Sequence, residues 1–159
     1  MESRNPFTYF LRVRYIECDA QKVVFNSRYA EYVDVGINEF LRAAGVLDEF
    51  VHGQLDFQLV KQTVEWKAPA RFDQVLELAI AAKHLGNTSF TLTTAFRVLD
   101  QRTAADQPPI VTVETVYVLV DAATLTKLPL PDRIRTALAE GARGKTTDHA
   151  ACQSVANNA

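Results

Sequence analysis

Between Ser27 and Ala44 the bulky or small apolar positions are Tyr29, Tyr32, Val33, Gly36, Ile37, Phe40, Leu41 and Ala44. That spacing of three, four, seven and eight draws one broad stripe along a helix. Asn26 or Ser27 can cap its start, and Gly45 stands where a helix end favours a left-handed residue. Ahead of the helix, Phe7, Tyr9, Leu11, Val13 and Tyr15 alternate with more polar neighbours, the period-two pattern of a strand with one buried face. After the helix the period stays near two, predicting strands over 57–67, 74–84, 88–99 and 109–121. The third is the clearest, with Phe90, Leu92, Thr94, Phe96 and Val98 on one side and Ser89, Thr91, Thr93, Ala95 and Arg97 on the other. Ala68-Pro69-Ala70-Arg71-Phe72-Asp73 breaks the first of these strands from the second, and Gly86-Asn87 predicts a tight hairpin between the second and third. A longer loop over 100–109 precedes the last. Pro131 can open a short terminal helix.

Consecutive strands with short connections make an antiparallel sheet, and the helix stripe has only that sheet to bury itself on. The expected class is therefore α+β. The chain's 159 residues fit one domain, expected over 1–140, with the small and polar stretch 141–159 a disordered tail.

Composition narrows the partners. With 17 Lys and Arg against 19 Asp and Glu, the net charge is -2, and no polybasic field exists to attract a nucleic acid backbone. No apolar run reaches the roughly 18 residues of a membrane span, and none of signal-peptide length follows the N-terminus. A cytoplasmic protein without membrane or nucleic acid partners is expected. Two cysteines, Cys18 and Cys152, do not make a disulfide framework. His52, His84 and His149 share no ligand spacing, so no metal is expected.

The connection Glu17-Cys18-Asp19-Ala20-Gln21-Lys22-Val23-Val24-Phe25-Asn26 puts two carboxylates and a thiol just ahead of a helix N-terminus. Free backbone N–H groups there can hold the oxyanion that forms when a carbonyl is attacked, and a nearby carboxylate can act as base or nucleophile. The same acids also read as solvated loop residues or helix caps. A lone Cys18 reads as a small packed side chain rather than a nucleophile. His52 and His84 read as surface or packing residues, and no Gly-x-Ser-x-Gly elbow occurs.

These residues resemble the hotdog-fold acyl-CoA thioesterases of the 4-hydroxybenzoyl-CoA thioesterase group. The likeness centres on Val13-Arg14-Tyr15-Ile16-Glu17-Cys18-Asp19, then Val23-Val24-Phe25 and Tyr29 with the long helix. It continues through Val64 to Asp73, Leu85 to Phe90, and Val120-Asp121 to Leu128-Pro129. The resemblance implies about five antiparallel strands wrapped around one long central helix. It also implies a homodimer joined by sheet edges, often a homotetramer, with the active site at the subunit interface. The family's catalytic aspartate falls on Asp19. Many relatives carry Asp at the place of Glu17 and Gly at the place of Lys22.

The implied reaction is hydrolysis of an acyl-CoA thioester to free acid and CoA, with coenzyme A part of the substrate and no cofactor. Asp19 would attack the carbonyl or deprotonate water, and amides near Val24, Phe25 and Asn26 would polarise the carbonyl. Asn26 or Ser89 would orient water, and Arg71 or Lys67 would meet the phosphates of coenzyme A. Two other readings stand beside it: a thioesterase for acyl carrier protein, and a non-catalytic acyl-thioester binding protein.

Overall fold

The computed structural model of the protein describes residues 5–99 and 106–151. Strand β1 covers Phe7–Arg12 and is followed by a single 3-10 turn, Tyr15–Glu17. The long helix α1 covers Arg28–Ala43 and the short α2 covers Leu47–Val51. Four long strands follow: β2 (Leu55–Trp66), β3 (Val75–Leu85), β4 (Ser89–Leu99) and β5 (Val111–Asp121). Helix α3 (Asp132–Glu140) and a three-residue strand β6 (Thr146–Asp148) close the chain.

The six strands lie in the order β2-β5-β4-β3-β1-β6. All neighbours are antiparallel except β6, which runs parallel to β1. One face of the sheet carries Leu76, Leu78, Ile80, Phe90, Leu92, Phe96, Val111, Val113 and Leu119, all buried. The α1 stripe completes this core with Tyr29, Tyr32, Val33, Ile37, Phe40 and Leu41. Gly36 lets helix and sheet approach closely: a Cβ there would stand 3.0 Å from Ile80 Cδ1 and 3.2 Å from Leu78 Cδ2. The helix ends as its glycine requires. Gly45 takes φ +79°, its N–H donates to the Arg42 carbonyl, and the Val46 N–H donates to the Leu41 carbonyl, a Schellman ending. At the other end Ser27 occupies the cap position but makes no side-chain capping bond.

Three expectations need correction. The first strand stops at Arg12, and Tyr15 is 79% exposed in the 3-10 turn rather than buried. The tail expected to be disordered from Gly141 is built into the fold as far as Ala151. There the Thr8 N–H donates to the Lys145 carbonyl, β6 extends the sheet, and the Tyr9 hydroxyl lies 2.9 Å from His149 Nδ1. Small polar residues hid a strand whose stability comes from pairing with β1 rather than from its own apolar pattern. It also makes the sheet six strands rather than about five. The remainder of the expected tail, 152–159, lies outside the described residues, as does most of the expected 100–109 loop.

No helix among the described residues is long and apolar enough to cross a membrane.

Candidate active site

The loop between β1 and α1 is a small hairpin. Cys18 pairs with Val24 in an antiparallel bridge, the Asp19 N–H donates to the Val23 carbonyl at 2.9 Å, and the Phe25 N–H donates to the Glu17 carbonyl at 2.9 Å. The tip is closed by the Lys22 N–H donating to the Asp19 carbonyl, and Lys22 itself sits at φ +62°. A turn followed by one left-handed residue is a standard three-residue hairpin closure, and glycine suits its last position best.

Asp19 stands at the end of the first arm, partly exposed. Its Oδ1 accepts the Gln21 N–H at 2.8 Å, while Oδ2 makes no hydrogen bond among the described residues. The turn thus holds one carboxylate oxygen and leaves the other available.

Of the three amides expected to polarise a carbonyl, two are committed elsewhere. The Val24 N–H donates to the Ala70 carbonyl at 2.8 Å and the Phe25 N–H to Glu17. Every such bond satisfies a donor inside the fold, so Val24 and Phe25 cannot serve. The Asn26 amide, the next along, has no acceptor among the described residues, and it stands exposed just before the first turn of α1.

Ser89 is not brought to Asp19 within the chain. It begins β4, whereas the Asp19 loop leaves the sheet where Arg12 pairs with Val75 and Val75 with Leu99, at the other end of that strand. Ten residues of strand separate Ser89 from Leu99, roughly 33 Å. The period-two reading identified the face of Ser89 but could not rank its position along the sheet.

Arg71 does reach the loop, for its backbone pairs with Val23 in an isolated bridge. Lys67 lies at the start of the same turn, its N–H donating to the Ile110 carbonyl. Both side chains are exposed.

Glu17 is the residue whose role the sequence misjudged. It is only 4% exposed. Its Oε2 accepts the Tyr32 hydroxyl at 2.6 Å and the Arg14 N–H at 2.7 Å, and its Oε1 accepts Arg14 Nε at 2.8 Å. Burial by itself would push the Glu17 carboxyl up, but the bonds from Tyr32 and Arg14 outweigh it and hold the group below the usual carboxylate value. Tyr32 moves the other way, pushed well above its ordinary value by burial first and then by its bond to Glu17, so it remains a donor. A second helix tyrosine anchors the neighbouring turn: Tyr29 Oη accepts the Ala70 N–H at 3.2 Å. Two tyrosines one turn apart on an otherwise apolar stripe were the available signal, because a buried tyrosine hydroxyl needs a partner.

The surroundings of Cys18 disfavour its thiolate. Burial and the neighbouring Glu17 and Asp19 carboxylates push its thiol up, away from the reactive thiolate. Among the described residues no three His, Cys, Asp or Glu side chains are grouped to hold a metal.

Comparison with known proteins agrees with this architecture. A family model described as the thioesterase-like superfamily matches residues 13–138, from the entry to the Asp19 loop to α3. A putative esterase of Aquifex aeolicus is 33% identical over 87 residues, 54% of this chain and 68% of the relative. The acyl-CoA thioester hydrolase YbgC of Escherichia coli is 28% identical over 129 residues, 80% of this chain and 92% of the relative. Among solved structures, a hypothetical protein from Aquifex aeolicus superposes with a TM-score of 0.72 at 26% identity, covering 84% of this chain and 99% of its own. The helix laid on an antiparallel sheet, the aspartate hairpin and the matched span together establish that the chain belongs to the thioesterase-like superfamily, a family of thioester hydrolases built on the hotdog fold.

Proposed function

We propose that this protein hydrolyses an acyl-CoA thioester to the free acid and coenzyme A, with Asp19 as the catalytic carboxylate and the Asn26 amide as an oxyanion donor. The observation that carries this reading is the hairpin itself: among the described residues Asp19 ends one arm with Oδ2 unpaired, and Asn26 follows the other arm with its N–H unpaired. A thioester carbonyl placed between them would meet a negative group at carbon and a donor at oxygen. As Asp19 or the water it deprotonates adds to the carbonyl carbon, charge moves onto the carbonyl oxygen of the tetrahedral species, where a fixed amide at a helix start stabilises it without reorganising. Its collapse breaks the carbon–sulfur bond, leaving the free acid in the base route or the mixed anhydride in the nucleophilic one, and coenzyme A departs as a thiolate that takes a proton from Asp19 or from solvent. Asp19 serves as nucleophile, through an anhydride that water cleaves, or as the base that deprotonates water; both routes use the same carboxylate oxygen. The Asn26 side chain, exposed beside that amide, is the group we assign to water orientation. Arg71, bridged to the loop, and Lys67 on the same turn are the cations we assign to the phosphates. The E. coli relative's description as an acyl-CoA thioester hydrolase supports coenzyme A as the carrier.

The working unit in this reading is a homodimer. β2 is the long outer strand of the sheet, with Leu59, Val60 and Trp66 more than half exposed, and such an edge is a template for a second chain.

The test is release of free thiol from aromatic, short-chain and long-chain acyl-CoA esters by wild type and Asp19→Asn. At least one ester is turned over by wild type, and the variant, still folded, loses roughly 10²- to 10⁴-fold in rate. Binding without turnover by both proteins would convert the assignment to a thioester-binding protein. An active Asp19→Asn would remove Asp19 from the mechanism.

A further inference from the structure

Glu17 lies two residues before the catalytic carboxylate and is more deeply buried than any other acid in the loop. A buried carboxylate is costly unless its oxygens are filled by donors, and here three are supplied, from Arg14 twice and from Tyr32 on α1. Elsewhere the segment is held by Tyr15, edge-on to Phe72 with ring centroids 5.8 Å apart, by Cys18, packed against the core, and by the Asp19 N–H, which donates to the Val23 carbonyl. Tyr15 is 79% and Ile16 73% exposed, and the Cys18 thiol makes only a long contact of 3.8 Å to the Arg14 carbonyl. The bond of 2.6 Å between Tyr32 and Glu17 ties this arm of the hairpin directly to α1 by a buried hydrogen bond. The same residue holds the other arm, because the Glu17 carbonyl accepts the N–H of Phe25, the residue before Asn26.

We propose that Glu17 is a positioning residue: fixed to α1 by Tyr32, it sets where the Asp19 carboxylate and the Asn26 amide stand relative to each other. This rests on the assignment of Asp19 and Asn26 made above. Side chain and backbone of Glu17 work together. The carboxylate ties the first arm to a rigid helix, and the carbonyl ties the second arm to the first. Loosening the carboxylate would let the first arm, with Asp19, shift against the second arm and the Asn26 amide, which the Val24–Ala70 bond and the Val23–Arg71 bridge keep in place. Errors of about 1 Å in such a constellation cost up to roughly 100-fold in rate.

Two variants test this. Tyr32→Phe deletes the hydroxyl while keeping the ring packed against Tyr29 and Phe96, and Glu17→Gln keeps the shape while removing the charge. Each is assayed for kcat and KM on an ester that wild type hydrolyses, and for hydrogen exchange of the Phe25 amide. The expected result in both is a kcat lower by roughly 10- to 100-fold with KM within about twofold, together with faster exchange at Phe25. A kcat within about twofold of wild type, or a change confined to KM, overturns the proposal even if exchange rises. If wild type hydrolyses no ester, the assignment of the site has failed by itself. The exchange measurement still decides the structural claim, and unchanged protection of Phe25 in Tyr32→Phe overturns it.

Discussion

Lys22 occupies a backbone position that lysine fits poorly, and replacing it by glycine gives a stability gain that can be worked out in advance. At φ +62° a residue with a Cβ crowds the following carbonyl at a cost of about 1–2 kcal/mol. Glycine removes that crowding but loses more backbone freedom on folding, an opposing term of about 0.5–1 kcal/mol. The Lys22 side chain is exposed and forms no ion pair among the described residues, so nothing else is lost. Lys22→Gly should therefore stabilise the protein by about 0.5–1 kcal/mol, which in a domain of this size raises Tm by roughly 1–4 °C. Lys22→Ala is the matching control, since alanine keeps the Cβ and gains nothing. Thermal unfolding followed by circular dichroism, with urea titration to confirm the free energy, measures both. A Gly variant no more stable than wild type refutes the strain argument. An Ala variant that gains as much as Gly shows that the lysine charge, not the backbone, was responsible.

Two further outcomes follow from the same coordinates. Because the folded Glu17 carboxyl lies below its unfolded value, which is about 4.3, its ionised form stabilises the native state above that pH, and the contribution is lost as pH falls through the folded value. Urea midpoints measured from pH 6 downward should thus fall more steeply for wild type than for Glu17→Gln, and equal slopes would show that Glu17 does not gain its charge stabilisation in the fold. For the outer strand, Leu59→Lys with Val60→Lys puts two like charges on each proposed sheet edge. Sedimentation equilibrium should give a dimer for wild type and a monomer for the double variant; a monomeric wild type removes the proposed assembly.

Periodicity alone sufficed for the long helix and the four strands that follow it. In α1, β3, β4 and β5 the apolar positions of the patterned face end up buried, since a helix on a sheet has one dry face and local pattern reports it directly, whereas the outer strand β2 leaves Leu59, Val60 and Trp66 more than half exposed. Gly45 signalled the helix end because few other residues adopt its φ. The Asp19 loop was legible as chemistry: a carboxylate before a helix start is a local feature. Which partners each group would find was not local. Whether an amide at Val24, Phe25 or Asn26 is free depends on the carbonyls of Ala70 and Glu17, brought in by the folding of distant or opposing segments. The distance from Ser89 to Asp19 depends on strand direction in the assembled sheet, and β6 exists only because β1 offers it an edge. Glu17 shows the limit most clearly. A glutamate in a loop reads as solvated, and only a tyrosine 15 residues further on, turned toward it by the packing of α1, makes it a buried anchor.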